Sequence, residues 1–444
     1  MAVDRNTDLD NVSDYVFDSI ILISERLAED VDIKDAVSDL EIYENLDLPY
    51  LTAKLVLVDN ANIIKDADIL GGEKIQIALR SLQVGTKSLS KTFYISKIIS
   101  AQRNGDHTEV DYIHLVEDIC YISNLKNVNK FYRGSGAEII EKISKSFLSK
   151  EIGQLSSDST SRDLIVPNMS PIEAMLWIRN SMSTVEGYPF YLFSTLFGEK
   201  LALADLSTLL QINAINEIPY RSNEGSSTSG AEDVASKVLN AYRFEESEDL
   251  YKLIRKGVIG AKYNYINTLT NETNHFSFDV VKDLLKPLIE KNVLGDQKNV
   301  TFTPEYEIDG VSFNEMKSRT ISRVGASFPY RTDSEKINRI GYGEEKNIGN
   351  YKRRVTTSAM NHILRKSPLT FAVDGLDFID GNTHFTIGNN IDIEFLAPLI
   401  DHQDQRIDTK RSGRYLIYSA KHLFKKEKYD LIMTGVKMGN STRI

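Results

Sequence analysis

The residue types that could do chemistry are present in this chain, but their spacing does not gather them into a recognisable site. Seven histidines, His107, His114, His275, His362, His384, His402 and His422, include no pair at the i, i+4 spacing with an adjacent acid that a helical metalloprotease site requires. His384, His402 and His422 fall in one β-rich region, and we read all seven as scattered surface residues. The single cysteine, Cys120, cannot form an intrachain disulfide, and no Cys/His spacing matches a structural zinc site. Its apolar neighbours suit packing better than reactivity. No Gly-x-Ser-x-Gly elbow exposes a nucleophilic serine. Gly341-Tyr342-Gly343 runs into Glu344 and Glu345, whose charge would repel a phosphate where phosphate loops place N–H groups and a lysine. Paired carboxylates for glycoside hydrolysis stay open, because 63 acids offer many pairs and sequence does not give their separation. No catalytic residue, cofactor or metal is expected from this inventory.

The elements that would position such residues follow from composition and patterning. At 444 residues, 41% hydrophobic and 26% charged, the chain can bury two or three cores, since single cores stop growing near roughly 250 residues. A net charge of −10 argues against an embracing contact with nucleic acid, which needs lysine and arginine on phosphates. It leaves room for a channel through which DNA only slides. The first residues are polar and acidic, unlike a secretory signal, and no apolar run approaches the roughly 18 residues that span a bilayer. The expectation is a protein made in a cytosol, without stable membrane insertion.

One strand pattern is spelled twice, in residues 48–117 and 368–437. Gly72-Glu73-Lys74-Ile75-Gln76-Ile77-Ala78-Leu79 follows Leu55-Val56-Leu57-Val58-Asp59, as Gly388-Asn389-Asn390-Ile391-Asp392-Ile393-Glu394-Phe395 follows Phe371-Ala372-Val373-Asp374. Phe93-Tyr94-Ile95-Ser96-Lys97-Ile98 and Tyr415-Leu416-Ile417-Tyr418-Ser419-Ala420 then each open a strand that turns through a polar loop into another. Reusing one β unit points to symmetry rather than to a reaction.

Between the copies the patterning changes. Residues 16–57 are β-branched and aromatic at short intervals and read as short strands. Ser135 with Glu138, and Ser170-Pro171-Ile172-Glu173, are capping boxes opening helices with apolar faces. Trp177 should pack in the core. Tyr188-Pro189-Phe190-Tyr191-Leu192-Phe193, a turn at Phe197-Gly198-Glu199-Lys200, and Leu201-Ala202-Leu203 form a predicted hairpin, with about half of its aromatic run free to serve as a stacking platform. Residues 125–215 thus read as a small α/β insertion. Residues 221–230 read as a mobile linker, residues 231–239 and 249–256 as helices, 261–269 as a strand, and 278–291 as a helix divided at Pro287. The basic stretch 317–354 reads as a solvated loop or as an arm reaching an acidic neighbour. A short helix at 357–366 leads into the second copy.

At the doubled strands the chain resembles the central hub protein of contractile phage tail baseplates, a family also similar to the base of type VI secretion spikes. The resemblance rests on Asp47-Leu48-Pro49-Tyr50-Leu51-Thr52-Ala53-Lys54-Leu55, on Ile69-Leu70-Gly71-Gly72-Glu73-Lys74-Ile75, and on Ser412-Gly413-Arg414-Tyr415-Leu416-Ile417-Tyr418-Ser419-Ala420-Lys421-His422. It implies a β-dominated α+β fold with two similar tube-like β-barrel domains, at 1–124 and 246–444, and the α/β domain inserted at 125–245. It implies a homotrimer whose six similar units surround a channel for DNA. The tail tube would lie above, the central spike below, and other baseplate proteins around the ring. Gly71, Gly72, Gly388 and Gly413 would be its signature turns. Glu73, Asp392 and Glu394 are the acids that the alternating strands would offer to the lumen, or equally to the outer surface. A tail-associated peptidoglycan hydrolase or a carbohydrate-binding tail module are the alternatives. The basic stretch has no match in the family pattern.

Overall fold

The computed structural model describes residues 15–27, 29–81, 89–103, 109–156, 161–222, 238–245, 250–267, 272–294, 307–312, 319–325, 348–375, 386–396, 407–425 and 428–439. The fold is α+β and dominated by antiparallel sheet. Six strands make a first unit: β1 (Tyr15–Ile23), β2 (Val37–Asn45), β3 (Thr52–Asp59), β4 (Lys74–Ser81), β5 (Leu89–Arg103) and β6 (Glu109–Glu117). Their order in space is β2-β3-β6-β5-β4-β1. Six later strands make a second: β7 (Tyr220–Ser222), β8 (Ala241–Phe244), β9 (Leu369–Asp374), β10 (Asn390–Glu394), β11 (Gly413–Lys425) and β12 (Lys428–Val436). Their order is β8-β9-β12-β11-β10-β7, the same arrangement strand for strand. Even the two-residue strand beside β1, Val31–Asp32, has a counterpart in Val238–Leu239 beside β7.

The duplication therefore reaches beyond the two segments in which sequence displays it. The second unit takes its outer strands from residues 220–244 and the rest from beyond residue 369, so it is discontinuous in the chain. One strand departs: β1 runs antiparallel to β4, whereas β7 runs parallel to β10. Among the described residues neither unit closes into a barrel. Among the described residues their ladders form one open path, joined where β11 pairs with β2. Alternation explains why these segments are strands: in β6, Asp111, Ile113, Leu115 and Glu117 are buried while the residues between them are partly exposed.

Among the described residues three apolar clusters support the sheet. The first unit has its own, from Ile20, Leu40, Leu55, Ile77, Phe93 and Ile113 among others. The second unit shares one with the helices at Leu250–Arg255 and Lys286–Glu290 and with α3, the Ile348–Leu364 helix. The insertion has the third, around α1 (Gly136–Ile143) and α2 (Pro171–Asn180). Both capping boxes form, with each serine oxygen accepting the N3 amide and each glutamate reaching back to the N-cap amide. Trp177 packs against this third cluster.

Several expectations need correction. Tyr188, Phe190, Tyr191 and Phe193 are all buried, so no stacking platform remains on that strand. The strand is two-sided: Phe190 and Leu192 face the insertion's core, while Tyr188, Tyr191 and Phe193 face the second unit's. Residues 238–239 are strand rather than helix because they extend the sheet beside β7, and residues 231–237 lie outside the described residues. The basic stretch begins as the strand Arg319–Gly325, parallel to Gly260–Asn267, and ends inside α3, which starts nine residues before the expected helix. Residues 326–347 lie outside the described residues. Around Pro287, a π-helical turn at Val281–Leu285 passes into a short α-helix, so the proline marks a change of helix type. No described helix is long and apolar enough to cross a membrane.

Candidate assembly site at the seam between the sheet units

Two of the signature glycines, Gly72 and Gly388, sit where the two units repeat the same backbone hydrogen bonds. Gly72 has φ +93° and Gly388 φ +80°, a region that side chains disfavour. The Gly72 amide donates to the Ile95 carbonyl at 2.8 Å, and Ile95 donates back to Glu73 at 2.9 Å. In the second unit Gly388 donates to Ile417 at 3.0 Å, and Ile417 to Asn389 at 2.9 Å. One residue further, each long strand bulges, at Ser96 in β5 and at Tyr418 in β11. Gly71 and Gly413 also have positive φ. Gly413 is the first residue of β11, paired with Ile393, rather than a turn residue.

The bulge in β11 is where the strand changes neighbours. Residues 413–416 pair with β10, whereas residues 419–425 continue past it and pair with β2 from Asn45 to Asp39. A bulge bends the strand and re-aims its edge, which lets one strand serve both units. The hairpin of β11 and β12 carries Phe424 and Tyr429 into the first unit's core, stacked at 4.5 Å, with Tyr15 edge-on to Phe424 at 5.1 Å. Each large aromatic buried there removes roughly 150–250 Å² from water.

Polar groups fix this seam at two points. Asp47, from the first unit, accepts from Arg365 at 2.8 Å, from Arg179 of the insertion at 3.4 Å, and from the hydroxyl of the bulge residue Tyr418. Arg365 also stacks over the Tyr418 ring at 4.7 Å. Burial, reinforced by the Asp47 charge, raises the Tyr418 hydroxyl far above its ordinary pKa, so it stays a donor. Beneath the ladder, His422 is fully buried, with Nδ1 2.7 Å from the Tyr429 hydroxyl and Nε2 3.3 Å from a Glu44 carboxylate oxygen. This corrects the surface reading of His422: it lies on the inward face of β11, where an imidazole needs polar partners.

The insertion is anchored to the first unit nearby. Its 194–198 loop puts Leu196 into the first unit's core. Glu44 accepts the Leu196 amide. Lys91 donates to the carbonyls of Thr195 and Gly198, at 3.2 and 2.7 Å. Glu117 accepts the Ser194 hydroxyl at 3.2 Å and the Leu51 amide at 2.8 Å. Burial pushes the Glu117 carboxyl up and the Lys91 ammonium down in pKa.

The three acids named for a lumen are all engaged by arginine. Glu73 is buried and holds its own turn, accepting Leu70 and Gly71 amides at 3.1 and 2.9 Å and pairing with Arg26. Asp392 and Glu394 lie on the partly exposed side of β10. Asp392 accepts from Arg414 Nε and Nη2, at 3.0 and 3.1 Å, and Glu394 from Arg221 at 2.6 Å. The structure brings Asp392 and Glu394 onto one face and leaves Glu73 in another unit. Sequence reasoning missed Asp47, Glu44 and Arg365, whose partners lie hundreds of residues away. Tyr418 carried the one available signal, a bulky residue that breaks the alternation of β11. Cys120 is half-buried beside Tyr50, and burial raises its pKa, in keeping with a packing role. Among the described residues no His/Cys/Asp/Glu group could hold a metal.

Comparison with solved structures finds the same fold in a tail protein. The chain shares its fold with the tail protein from Neisseria meningitidis, at a TM-score of 0.54 and 9% identity over 96% of this chain and 97% of that one. The 43 kDa tail protein of prophage MuSo2 from Shewanella oneidensis aligns at 0.47 and 10% identity, over 95% and 98%. A chain of the Francisella PdpA-VgrG complex aligns at 0.46 and 10%, over 98% of this chain and 54% of that one. No family model and no curated protein matches the sequence.

Proposed function

We propose that this chain is a non-enzymatic structural hub of a contractile phage tail baseplate. The observation that carries the reading is the strand-for-strand repeat joined into one sheet: two matched units in one chain are what a threefold body needs to present a sixfold face. Three copies would give a pseudo-sixfold ring, joining a hexameric tail tube above to a trimeric central spike below and leaving a channel for DNA. The shared fold of the Neisseria tail protein supports a tail role. In this reading residues 1–124 and 246–444 carry the two tube units, the second drawing edge strands from residues 220–244. Residues 125–245 otherwise form an insertion facing other baseplate proteins, and the protein resides in the virion tail after assembly in the host cytoplasm.

Closed rings satisfy sheet edges that isolated units would leave open to uncontrolled pairing. Electron microscopy of the purified protein tests the reading, with a threefold ring around a central hole as the expected result. A monodisperse monomer at high concentration, in the presence of tube and spike partners, would sink it. Release of muropeptides from purified peptidoglycan, abolished by a single Glu or Asp substitution, would overturn the non-enzymatic part.

A further inference from the structure

We propose that copies of this chain join head to tail by repeating, between chains, the seam that each makes within itself. The free edge of residues 97–103 on β5 receives β8 of a second copy. The inference rests on the hub reading and adds to it the strands that make the contact.

One edge of β11 is divided: its start holds β10, and its continuation past the Tyr418 bulge holds β2, while the opposite edge holds β12 from Leu416 onward. Its counterpart β5 is built alike. Residues 89–94 hold β4 on one edge, β6 occupies the opposite edge, and the bulge at Ser96 falls at the equivalent point. Residues 97–103 then run on past the end of β4, and among the described residues no ladder occupies that edge. Ile99, within this stretch, is 36% exposed. Unpaired N–H and C=O groups along such an edge template the addition of another strand.

The complement follows from the same equivalence. The strand captured by β11 is β2, and the counterpart of β2 is β8: Glu41 pairs with Lys54 in β3, as Arg243 pairs with Thr370 in β9. Since Lys421 faces Tyr43 and Phe424 faces Leu40 in the seam, the same register sets Ile99 opposite Glu245 and Gln102 opposite Tyr242. One difference bears on this register: β5 has a second bulge between Ile99 and Gln102, which β11 lacks. The carried-over register therefore holds at Ile99 and can slip by one residue beyond it. A donor edge on one unit and its complement on the other make a heterologous contact, which closes into a ring when the rotation closes.

Single-cysteine chains test this directly in a Cys120→Ser background. Ile99→Cys and Glu245→Cys chains are purified separately, mixed, and oxidised or treated with a short bis-maleimide. The expected result is a shift to the mass of two chains on a non-reducing gel. A mix of Gln102→Cys with Tyr242→Cys reads the register past the second bulge, and Tyr43→Cys/Lys421→Cys in one chain is the intrachain control. Rings seen by microscopy with no cross-link from either mixture would overturn this inference and leave the hub reading standing. Monomers with no cross-link would overturn both.

Discussion

The first unit is one continuous stretch of chain, antiparallel throughout and packed on a core largely its own. The second is assembled from two stretches and shares its core with helices. They differ most at β1 and β7, the strands that enter each unit. β1 precedes its unit, whereas β7 arrives from the insertion and enters in the opposite direction, parallel to its neighbour. The four central strands keep their order, bulge and glycine turn in both. The lesson is that ladder and turn geometry define this unit, while the strand that enters it tolerates reversal because only a two-residue ladder lies on its outer side. The bulge residues differ in the same spirit. Ser96 bonds back to its own sheet, at the His114 carbonyl 3.0 Å away, while Tyr418 reaches out to Asp47 across the seam.

That comparison can be broken most sharply at the glycine turns. A Cβ at Gly388 would lie 2.8 Å from the buried Phe193 ring, at φ +80°. Gly388→Ala should cost about 3 kcal/mol, from left-handed strain of roughly 1–2 and overpacking of roughly 1–3. At Gly72 the Cβ meets the Tyr121 hydroxyl at 2.7 Å, the end of a side chain that can swing, so Gly72→Ala should cost only about 1–2 kcal/mol. Urea midpoints of the two variants decide; equal losses would mean that the turns are constrained alike.

Next in size is Leu196→Ala, which empties a site in the first unit's core and should cost about 3 kcal/mol. Hydrogen exchange should quicken in β2 and β5 and stay unchanged in β9 and β10, whose core is the second unit's. Uniform quickening would mean that the units unfold as one. Asp47→Asn weakens charge-assisted bonds at the seam and should cost about 2 kcal/mol, visible as loss of protection in residues 419–425 before the rest of β11.

The smallest effect is one of pH, and it sets the units against each other. Glu117 and Lys437 each stand one residue past equivalent positions, Val116 and Val436, on β6 and β12. Glu117 is pushed above its ordinary 4.5 by burial. Lys437 donates to the carbonyls of Lys410, Arg411 and Ser412, at 2.6, 3.2 and 3.2 Å, and burial lowers it to about 8. With a raised folded pKa, Glu117 favours the fold in acid and loses that contribution as pH rises above 4.5. With a lowered one, Lys437 opposes the fold below about 8 and relaxes as pH climbs from there toward 10.5. Relative to Glu117→Gln, wild-type stability should fall with rising pH in the first window; relative to Lys437→Gln, it should rise in the second. A flat difference in either would remove the corresponding assignment.

Local pattern alone determined the strands of both copies, the glycine turns, both capped helices and the β-dominated class, because each rests on contacts within a few residues: alternation, positive φ, a serine three positions before a glutamate. Sequence reads 221–222 as linker and 238–239 as helix, although both are strand, because pieces this short show no period. Their membership in the second unit was decided only by hydrogen bonds to strands about 130 to 170 residues later. The inward turn of His422, the two-sided burial of the Phe190–Phe193 strand, and the arginine partners of Glu73, Asp392 and Glu394 were decided in the same way. Which face of a strand meets a core, and which charge meets its counterion, depends on what the rest of the chain brings beside it, and β11 acquires two neighbours on one edge only once both units have folded.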